Sequence, residues 1–283
     1  MIKVVRAGLK CSIQDKGRYG YRHLGMPVSG WMDDKSALAA NLLLGNNEND
    51  AILEIGPIGP DLVFLKNTSI LLTGALKKCF FNEKPMPFYK IIEVKKGDVI
   101  SIKSGANGVW SYLGVKGGFQ ISKILGSRSS YFPIDIGVEI IKGNEIHTQN
   151  MDYFREGSNS RIRPELNTKR EIIVRHGPEF DFLQPSQKEY LFAKEFRIEG
   201  KSDRMAYYLT PNNKNFLSGV KDIITSAVVP GTIQLLPSGG IMALMRDCQT
   251  TGGYARILQV VQNDMSVLAQ KRPGEIVKFC TTN

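Results

Sequence analysis

The stretch Lys96-Gly-Asp-Val-Ile-Ser-Ile102 shows the pattern that decides the fold class. A Gly-Asp pair is typical of a tight turn, and the residues after it alternate apolar and polar side chains, as in a half-buried strand. The same order recurs in Pro273-Gly-Glu-Ile-Val-Lys-Phe279 and, more weakly, in Lys142-Gly-Asn-Glu-Ile146. A glycine turn that feeds a short strand, used three times, favours barrels built from short antiparallel strands.

Other short runs of β-type residues, bounded by Gly, Pro and Asn, bring the strand candidates to about fifteen. The helix signal is weaker: residues 34–44 have a partial apolar face, with Asp33 or Ser29 as the N-cap and Gly45 as the C-terminal stop. A second amphipathic segment spans residues 180–192. The sequence therefore predicts a mainly β protein with a few short helices.

Length and composition predict a globular protein of two domains. The chain has 283 residues, and 42% of them are hydrophobic, whereas one domain typically contains roughly 150 residues. Residues 150–169 are the most polar part of the chain and have few apolar anchors. We place the domain junction there, which gives an N-terminal domain at 1–165 and a C-terminal domain at 166–283.

Charge and cysteine usage exclude several classes of function. The net charge is +10, but the lysines and arginines are scattered, so we expect a solvated basic surface and no nucleic-acid binding. The four cysteines lack CxxC spacing and the three histidines are far apart, so no metal site is predicted. Without a signal-peptide pattern or an apolar run of about 20 residues, we expect a reduced, cytoplasmic protein that binds no membrane.

The densest polar stretch is Arg246-Asp-Cys-Gln-Thr-Thr-Gly-Gly-Tyr-Ala-Arg256, which separates two apolar runs. Its small and amide side chains offer many hydrogen-bonding groups, and its two glycines let the backbone approach a ligand without an intervening Cβ. We interpret it as the floor of a binding site. The glycine-rich stretch at 12–25 is either a functional loop or a well-bonded structural one.

Six motifs, in order along nearly the whole chain, resemble one protein family. They are Ile13-Gln-Asp-Lys-Gly-Arg-Tyr-Gly-Tyr-Arg-His-Leu-Gly-Met-Pro-Val-Ser-Gly30, Leu71-Leu-Thr-Gly-Ala75, Leu125-Gly-Ser-Arg-Ser-Ser-Tyr131, Ser202-Asp-Arg-Met205, Gly231-Thr-Ile-Gln234 and Gln249-Thr-Thr-Gly-Gly-Tyr254. The chain is similar to the biotin-dependent carboxyltransferase-like proteins known as the PxpC component of 5-oxoprolinase, as KipA, or as the second component of allophanate hydrolase. The resemblance implies two cyclophilin-like β-barrel domains.

The resemblance also implies partners and an activity. Family members work with a PxpB/KipI-like protein and a PxpA/LamB-YcsF-like protein, and together the three form an ATP-dependent 5-oxoprolinase that opens pyroglutamate to glutamate. Because the chain has no Walker-type loop, we expect ATP to bind mainly with these partners. One alternative is a KipA-type regulator that antagonises a PxpB/KipI-like kinase inhibitor, and a weaker one is a urea carboxylase-type carboxyltransferase component.

An anionic substrate and a phosphorylated intermediate would require arginines, because a guanidinium pairs bidentately with carboxylate or phosphate. The candidate catalytic residues are Asp15, Arg128, Asp203 and Asp247. The candidate substrate-binding residues are Arg18, Arg22, His23, Ser127, Tyr131, Arg204, Gln249, Thr250, Thr251, Gly252, Gly253 and Tyr254.

Structural roles remain equally open for several of these side chains. An aspartate in a Ser-Asp-Arg turn commonly caps its own backbone, which applies to Asp203, and buried polar groups such as Asp15 are usually bonded locally. Neighbours on a strand point to opposite faces, so Asp203-Arg204 and Arg246-Asp247 cannot be assumed to pair.

The chain departs from the family pattern at three positions where an arginine is expected, namely Val138, Tyr208 and Cys248. Three fewer arginines leave the identity of the substrate open. We interpret Cys248 as a small buried side chain, because no histidine lies near it in the sequence to activate it as a nucleophile.

Overall fold

The computed structural model describes residues 1–105, 107–149, 169–211 and 213–281. The chain divides into two compact units, Met1–Arg18 with Ser29–Leu166 and Tyr19–Val28 with Asn167–Asn283. The short segment Tyr19–Val28 thus belongs to the second unit although the chain on both sides of it belongs to the first. The predicted junction at 165/166 falls among residues 150–168, which lie outside the described residues.

The first unit is built from short strands in two sheets. Its strands are β1 (Ile2–Arg6), β2 (Leu9–Gln14), β3 (Ile52–Ile58), β4 (Asp61–Phe64), β5 (Thr68–Gly74), β6 (Cys79–Phe81), β7 (Lys84–Pro85), β8 (Ile92–Val94), β9 (Val99–Ile102), β10 (Ser111–Val115) and β11 (Glu145–Ile146). In the described residues they form a six-stranded sheet, β11-β1-β4-β9-β6-β7, and a five-stranded sheet, β2-β3-β10-β5-β8. All of these strand pairs are antiparallel.

Alternation of side chains buries one face of each sheet in a shared apolar core. In β1, for example, Ile2 and Val4 are buried while Lys3 is exposed, as the period of a strand requires. Residues from both sheets, including Leu53 and Leu62, belong to one contiguous cluster of buried side chains. Removal of this apolar surface from water is what holds the two sheets together.

One helix, α1 (Asp34–Leu44), covers part of the five-stranded sheet and packs on β5 and β10. The Asp33 side chain accepts a hydrogen bond from the backbone N–H of Ser36 at the start of the helix. At its end, Gly45 takes the left-handed conformation, and the Lys116 ammonium donates to the carbonyls of Leu44 and Gly45. These bounds and caps are those that the sequence predicts.

The second unit contains a closed seven-stranded barrel. The described strands of the unit are β12 (Glu171–His176), β13 (Glu195–Ile198), β14 (Ala206–Pro211), β15 (Ser226–Ala227), β16 (Thr232–Leu235), β17 (Ile241–Leu244), β18 (Thr251–Gly252), β19 (Ala255–Val260) and β20 (Ile276–Thr281). The barrel order is β12-β19-β16-β17-β14-β13-β20, and a parallel pairing of β12 with β20 closes it. The remaining pair, β15 with β18, forms a separate two-stranded ribbon.

Two short α-helices, α2 (Pro185–Ala193) and α3 (Gln262–Ala269), complete the second unit. Short 3₁₀ helices lie at Arg22–Leu24, Phe132–Ile134, Phe180–Phe182 and Lys214–Leu217. None of the helices in the described ranges combines the length and the apolar character that crossing a bilayer requires.

The predicted mainly β class with a few short helices is confirmed. The three glycine turns also behave as predicted, because Gly97, Gly143 and Gly274 all have positive φ and each precedes a strand. The stretch at 12–25 is less irregular than its glycines suggest, since β2 extends to Gln14 and a 3₁₀ turn follows at Arg22–Leu24.

Candidate functional site

The polar segment 246–254 leaves the barrel at the end of β17 and is anchored at once by backbone bonds. The N–H of Met245 donates to the carbonyl of Met205, and the N–H of Asp247 donates to the carbonyl of Arg204. Beyond this point Thr251 and Gly252 pair with Ser226 and Ala227 in the ribbon. The segment is therefore held at both ends, and its middle lies outside the barrel sheet.

A bidentate ion pair joins the start of this segment to the turn before β14. Arg204 donates from Nε to one oxygen of Asp247 at 2.7 Å and from Nη2 to the other at 3.1 Å. Both side chains are largely buried, with 13% and 12% of their surface exposed. The sequence could not assign Asp247 a partner, and the structure supplies one from a different strand rather than from its neighbour Arg246.

Asp203 serves the local backbone of its own turn. One oxygen of its carboxylate accepts from the N–H groups of Met205 at 2.8 Å and Ala206 at 3.2 Å. The hydroxyl of Ser202 likewise accepts from the N–H of Tyr208. Of the two roles that the sequence left open for Asp203, the structural one has this geometry, and the catalytic one stays a prediction.

Arg22, which belongs to the segment Tyr19–Val28 of the second unit, reaches the same region. Its Nη2 donates to the carbonyls of Val228, Gln249 at 3.2 Å and Thr250 at 3.4 Å. His23, the next residue, is exposed. A substrate contact for either side chain stays a prediction.

Cys248 is fully buried among apolar neighbours, in a cluster that includes Ala206, Val228 and Leu244. Burial raises the pKa of its thiol to about 11, although the adjacent Arg22 guanidinium acts in the opposite direction. The thiol is therefore protonated at neutral pH and is a poor nucleophile. This agrees with its interpretation as a small buried side chain.

The glutamines and the exposed side chains of the segment form its ligand-accessible part. The amide of Gln249 donates to the buried Gln234 at 3.5 Å, and Gln234 donates to the carbonyl of Tyr254 at 3.3 Å. Thr251 is exposed, and Tyr254 keeps 37% of its surface exposed. The partly buried Thr250, Gly252 and Gly253 complete the set. Hydroxyl, phenol and amide groups thus face outward from a backbone that is fixed below them.

Two supporting residues were not predicted from the sequence. Glu179, which is 8% exposed, accepts from the Arg256 backbone N–H and from both sides of its guanidinium, at 2.9, 2.8 and 2.6 Å. Arg256 in turn donates to the carbonyl of Ala227 in the ribbon. The side-chain bond from Arg256 lowers the pKa of Glu179. The partners are far apart in sequence, so no local pattern announces the pair.

A second polar cluster lies in the first unit around Asp15, which is 1% exposed. One oxygen of its carboxylate accepts from the hydroxyls of Ser127 at 2.6 Å and Ser129 at 2.7 Å and from the N–H of Gly17 at 2.9 Å. The other oxygen accepts from the N–H of Arg128 at 2.6 Å. The carboxylate is enclosed by four donors, which is the geometry of a structural residue.

The remaining candidates of the first unit bind its loop backbone. Arg18 is fully buried and donates to the carbonyls of Ile124 and Ser129. Arg128 donates to the carbonyl of Ile121 at 2.9 Å and to the Gln120 side chain at 3.0 Å. Tyr131 is partly buried and pairs through its backbone with Ile136. The cluster brings together the predicted residues Asp15, Arg18, Ser127 and Arg128, and each of them has a scaffold contact.

The predicted site residues therefore fall in two separate groups, one in each unit. In the described ranges, no three His, Cys, Asp or Glu side chains are arranged so that they could hold a metal ion.

A closed barrel with an outward-facing, glycine-containing hydrogen-bonding segment defines a β-protein that binds a small polar molecule or a partner. The chain belongs to the family described as carboxyltransferase domain, subdomain A and B, whose model matches residues 24–281.

Two curated relatives match almost the whole chain. The PxpC component of 5-oxoprolinase from Haemophilus influenzae is 31% identical over 283 residues, which cover 99% of this chain and 90% of that protein. The urea amidolyase of Saccharomyces cerevisiae is 27% identical over 98% of this chain but only 16% of its own length.

A solved structure, that of TTHA0988, shares the fold with a TM-score of 0.87 at 26% identity. The match covers 99% of this chain and 55% of TTHA0988, so the chain spans about half the length of that protein.

Proposed function

We propose that this chain is the PxpC component of an ATP-dependent 5-oxoprolinase, in which it opens 5-oxoproline to glutamate together with PxpA-like and PxpB-like partners. The observation that carries the proposal is the match to a 5-oxoprolinase component over 90% of that relative, since the urea amidolyase match accounts for only 16% of its protein. The relative's name designates one part of a larger enzyme, which supports a heteromeric assembly.

The substrate chemistry explains why an outward-facing polar segment is needed. 5-Oxoproline presents a lactam N–H, a lactam carbonyl and a carboxylate. The hydroxyl of Thr251, the phenol of Tyr254 and the Gln249 amide supply donors and acceptors for such groups. The glycines between them leave room for a ring to approach the backbone.

Opening the lactam requires activation of a stabilised amide. Transfer of phosphate from ATP to the carbonyl oxygen supplies that activation, and arginines stabilise the charge that develops. We assign the binding of ATP mainly to the partner proteins. Within this chain, Asp247 holds Arg204 in a fixed orientation beside the segment 246–254, while Asp15 maintains the loop that carries Arg128.

Reconstitution tests the proposal directly. The purified chain is combined with its cognate PxpA-like and PxpB-like proteins, and glutamate release from 5-oxoproline is measured with and without ATP. We expect ATP-dependent release only when all three proteins are present. Absence of glutamate from the complete mixture, with each protein folded, would contradict the proposal.

A second candidate, a KipA-type regulator that binds a PxpB/KipI-like kinase inhibitor, is favoured by Cys248. A buried, protonated thiol occupies this position of the segment where the family pattern has an arginine, and a binding protein tolerates such a loss better than an enzyme does. Stable capture of a PxpB/KipI-like protein without any 5-oxoprolinase activity would support this candidate over the first.

A further inference from the structure

Arg22 is the side chain through which the segment Tyr19–Val28 reaches the candidate binding segment. Its three acceptors are all backbone carbonyls, and they come from two different stretches, Val228 on one and Gln249 and Thr250 on the other. These two stretches also bond to each other, because the N–H of Val228 donates to the carbonyl of Thr250 at 3.1 Å. One guanidinium therefore spans the junction of the ribbon with the polar segment.

The backbone of Arg22 is itself held in place. The N–H of Gly25 donates to the carbonyl of Arg22 at 2.9 Å, and the N–H of Leu24 donates to the carbonyl of Tyr21 at 3.0 Å. Gly25 has a φ of 79°, which a residue with a side chain rarely adopts. The turn thus presents the guanidinium in a defined position before any ligand arrives.

In the described ranges, no carboxylate lies within ion-pair distance of Arg22, which distinguishes it from Arg204 and Arg256. A guanidinium that binds only neutral carbonyls acts on the shape of the backbone, since its donors are used to hold several acceptors at fixed separations. The thiol of Cys248 lies next to it and is fully buried.

We infer that Arg22 is a positioning residue that clamps residues 228 and 249–250 together and so holds the segment 246–254 in its binding-ready shape. Its importance for binding rests on the proposed function, whereas the clamp itself does not. Loss of the guanidinium leaves three carbonyls with weaker bonding, which favours local opening of the segment and ribbon. Such opening exposes Cys248, which makes its thiol a reporter of the clamp.

The test is native-state alkylation with N-ethylmaleimide, with the modification of each cysteine followed by mass spectrometry of its peptide. In Arg22→Ala we expect Cys248 to react about tenfold faster than in the wild type, because the segment opens more often. Cys11 and Cys79, which are buried in the first unit, should react at wild-type rates. Free guanidinium ion should slow the Cys248 reaction of Arg22→Ala again, and tetramethylammonium should not.

A matched control is Arg197→Ala. Arg197 is an exposed arginine of the same unit that also donates to a backbone carbonyl, that of Gly274, so its loss should leave Cys248 labelling unchanged. If Arg22→Ala does not fold, Arg22→Lys decides, because an ammonium keeps the charge but cannot bridge the carbonyls with a planar fork. About threefold faster labelling is expected for that variant.

Unchanged labelling of Cys248 in folded Arg22→Ala would overturn the inference, and so would equal acceleration at Cys11 and Cys79, which would indicate general destabilisation. In the reconstituted enzyme, Arg22→Lys should raise the KM for 5-oxoproline about three- to tenfold and change kcat less than twofold. A wild-type mixture that releases no glutamate contradicts the proposed function but leaves the labelling result valid.

Discussion

The Asp15 cluster of the first unit and the Asp247 region of the second use the same residue types in different ways. Asp15 is enclosed by two hydroxyls and two backbone N–H groups, and its serine neighbours are themselves buried. Asp247 meets a single arginine, and the residues that follow it point polar side chains outward. The difference teaches that a dense polar motif marks a binding surface only where its groups are not already used by one another.

The largest expected effect is on the enclosed carboxylate. Asp15→Ala leaves four donors without their acceptor, so we expect the free energy of unfolding to fall by about 3 kcal/mol. Urea denaturation followed by circular dichroism measures this loss. Asp98→Ala, at an exposed turn of the same unit, should cost about 1 kcal/mol or less. Equal effects of the two substitutions would break the comparison, because Asp15 would then not be a scaffold residue.

The next effect concerns the ion pair of the second unit. We expect Arg204→Ala and Asp247→Ala each to destabilise the protein by about 2 kcal/mol, with a coupling energy of about 1–2 kcal/mol in a double-mutant cycle. The pair Lys201 with Glu199, whose side chains are 58% and 30% exposed, should couple by less than about 1 kcal/mol. A coupling energy near zero for Arg204 and Asp247 would show that the pair is not a fixed part of the site.

A smaller effect should depend on pH through Glu179. The bond from Arg256 lowers its pKa in the folded state below the unfolded value of about 4.3. Its contribution to stability is therefore fully present above that unfolded value and is lost as the pH falls through the lower folded value. Glu179→Gln should melt at a lower temperature at neutral pH and show a shallower fall in Tm on acidification.

The control for this prediction is Glu195→Gln, since Glu195 is half exposed and makes only a 3.7 Å contact to Arg170. Its acid melting curve should follow that of the wild type. An unchanged curve for Glu179→Gln as well would remove Glu179 from the supports of the ribbon.

The smallest effect on stability should come from the outward-facing segment. Thr251→Ala removes an exposed hydroxyl, so the free energy of unfolding should change by less than about 0.5 kcal/mol. If the segment binds substrate, the affinity of the assembled enzyme for 5-oxoproline should nevertheless fall about three- to tenfold. Calorimetric titration measures both variants, with Ser238→Ala as an exposed hydroxyl control. A Thr251→Ala affinity equal to that of the wild type would move the binding surface elsewhere.

The parts of the fold that depend on neighbouring residues could be predicted from the sequence. Helix α1 begins and ends as expected because its caps, Asp33 and Gly45, are adjacent to it. The glycine turns before β9, β11 and β20 are equally local. Ribbon strand β15 was not predicted, because Ser226-Ala227 is too short to show alternation and pairs only with the polar segment.

The candidate site was predictable in its residue types but not in its contacts. The dense polar character of 246–254 is visible in the sequence, whereas the pairs Arg204 with Asp247 and Arg256 with Glu179 join distant residues. Arg22 shows the limit most clearly. Its position in a family motif predicted a substrate contact, and only the fold shows that its donors go to carbonyls of the second unit.

The parallel pairing of β12 with β20 has a consequence for the order of folding. The two strands that close the barrel lie at opposite ends of the described part of the second unit, roughly 100 residues apart, a separation that slows folding because loop closure must precede the contact. During synthesis the barrel therefore cannot close until β20 has left the ribosome. Until then β12 and β13 expose unpaired edges, on which a chaperone or a second nascent chain can act.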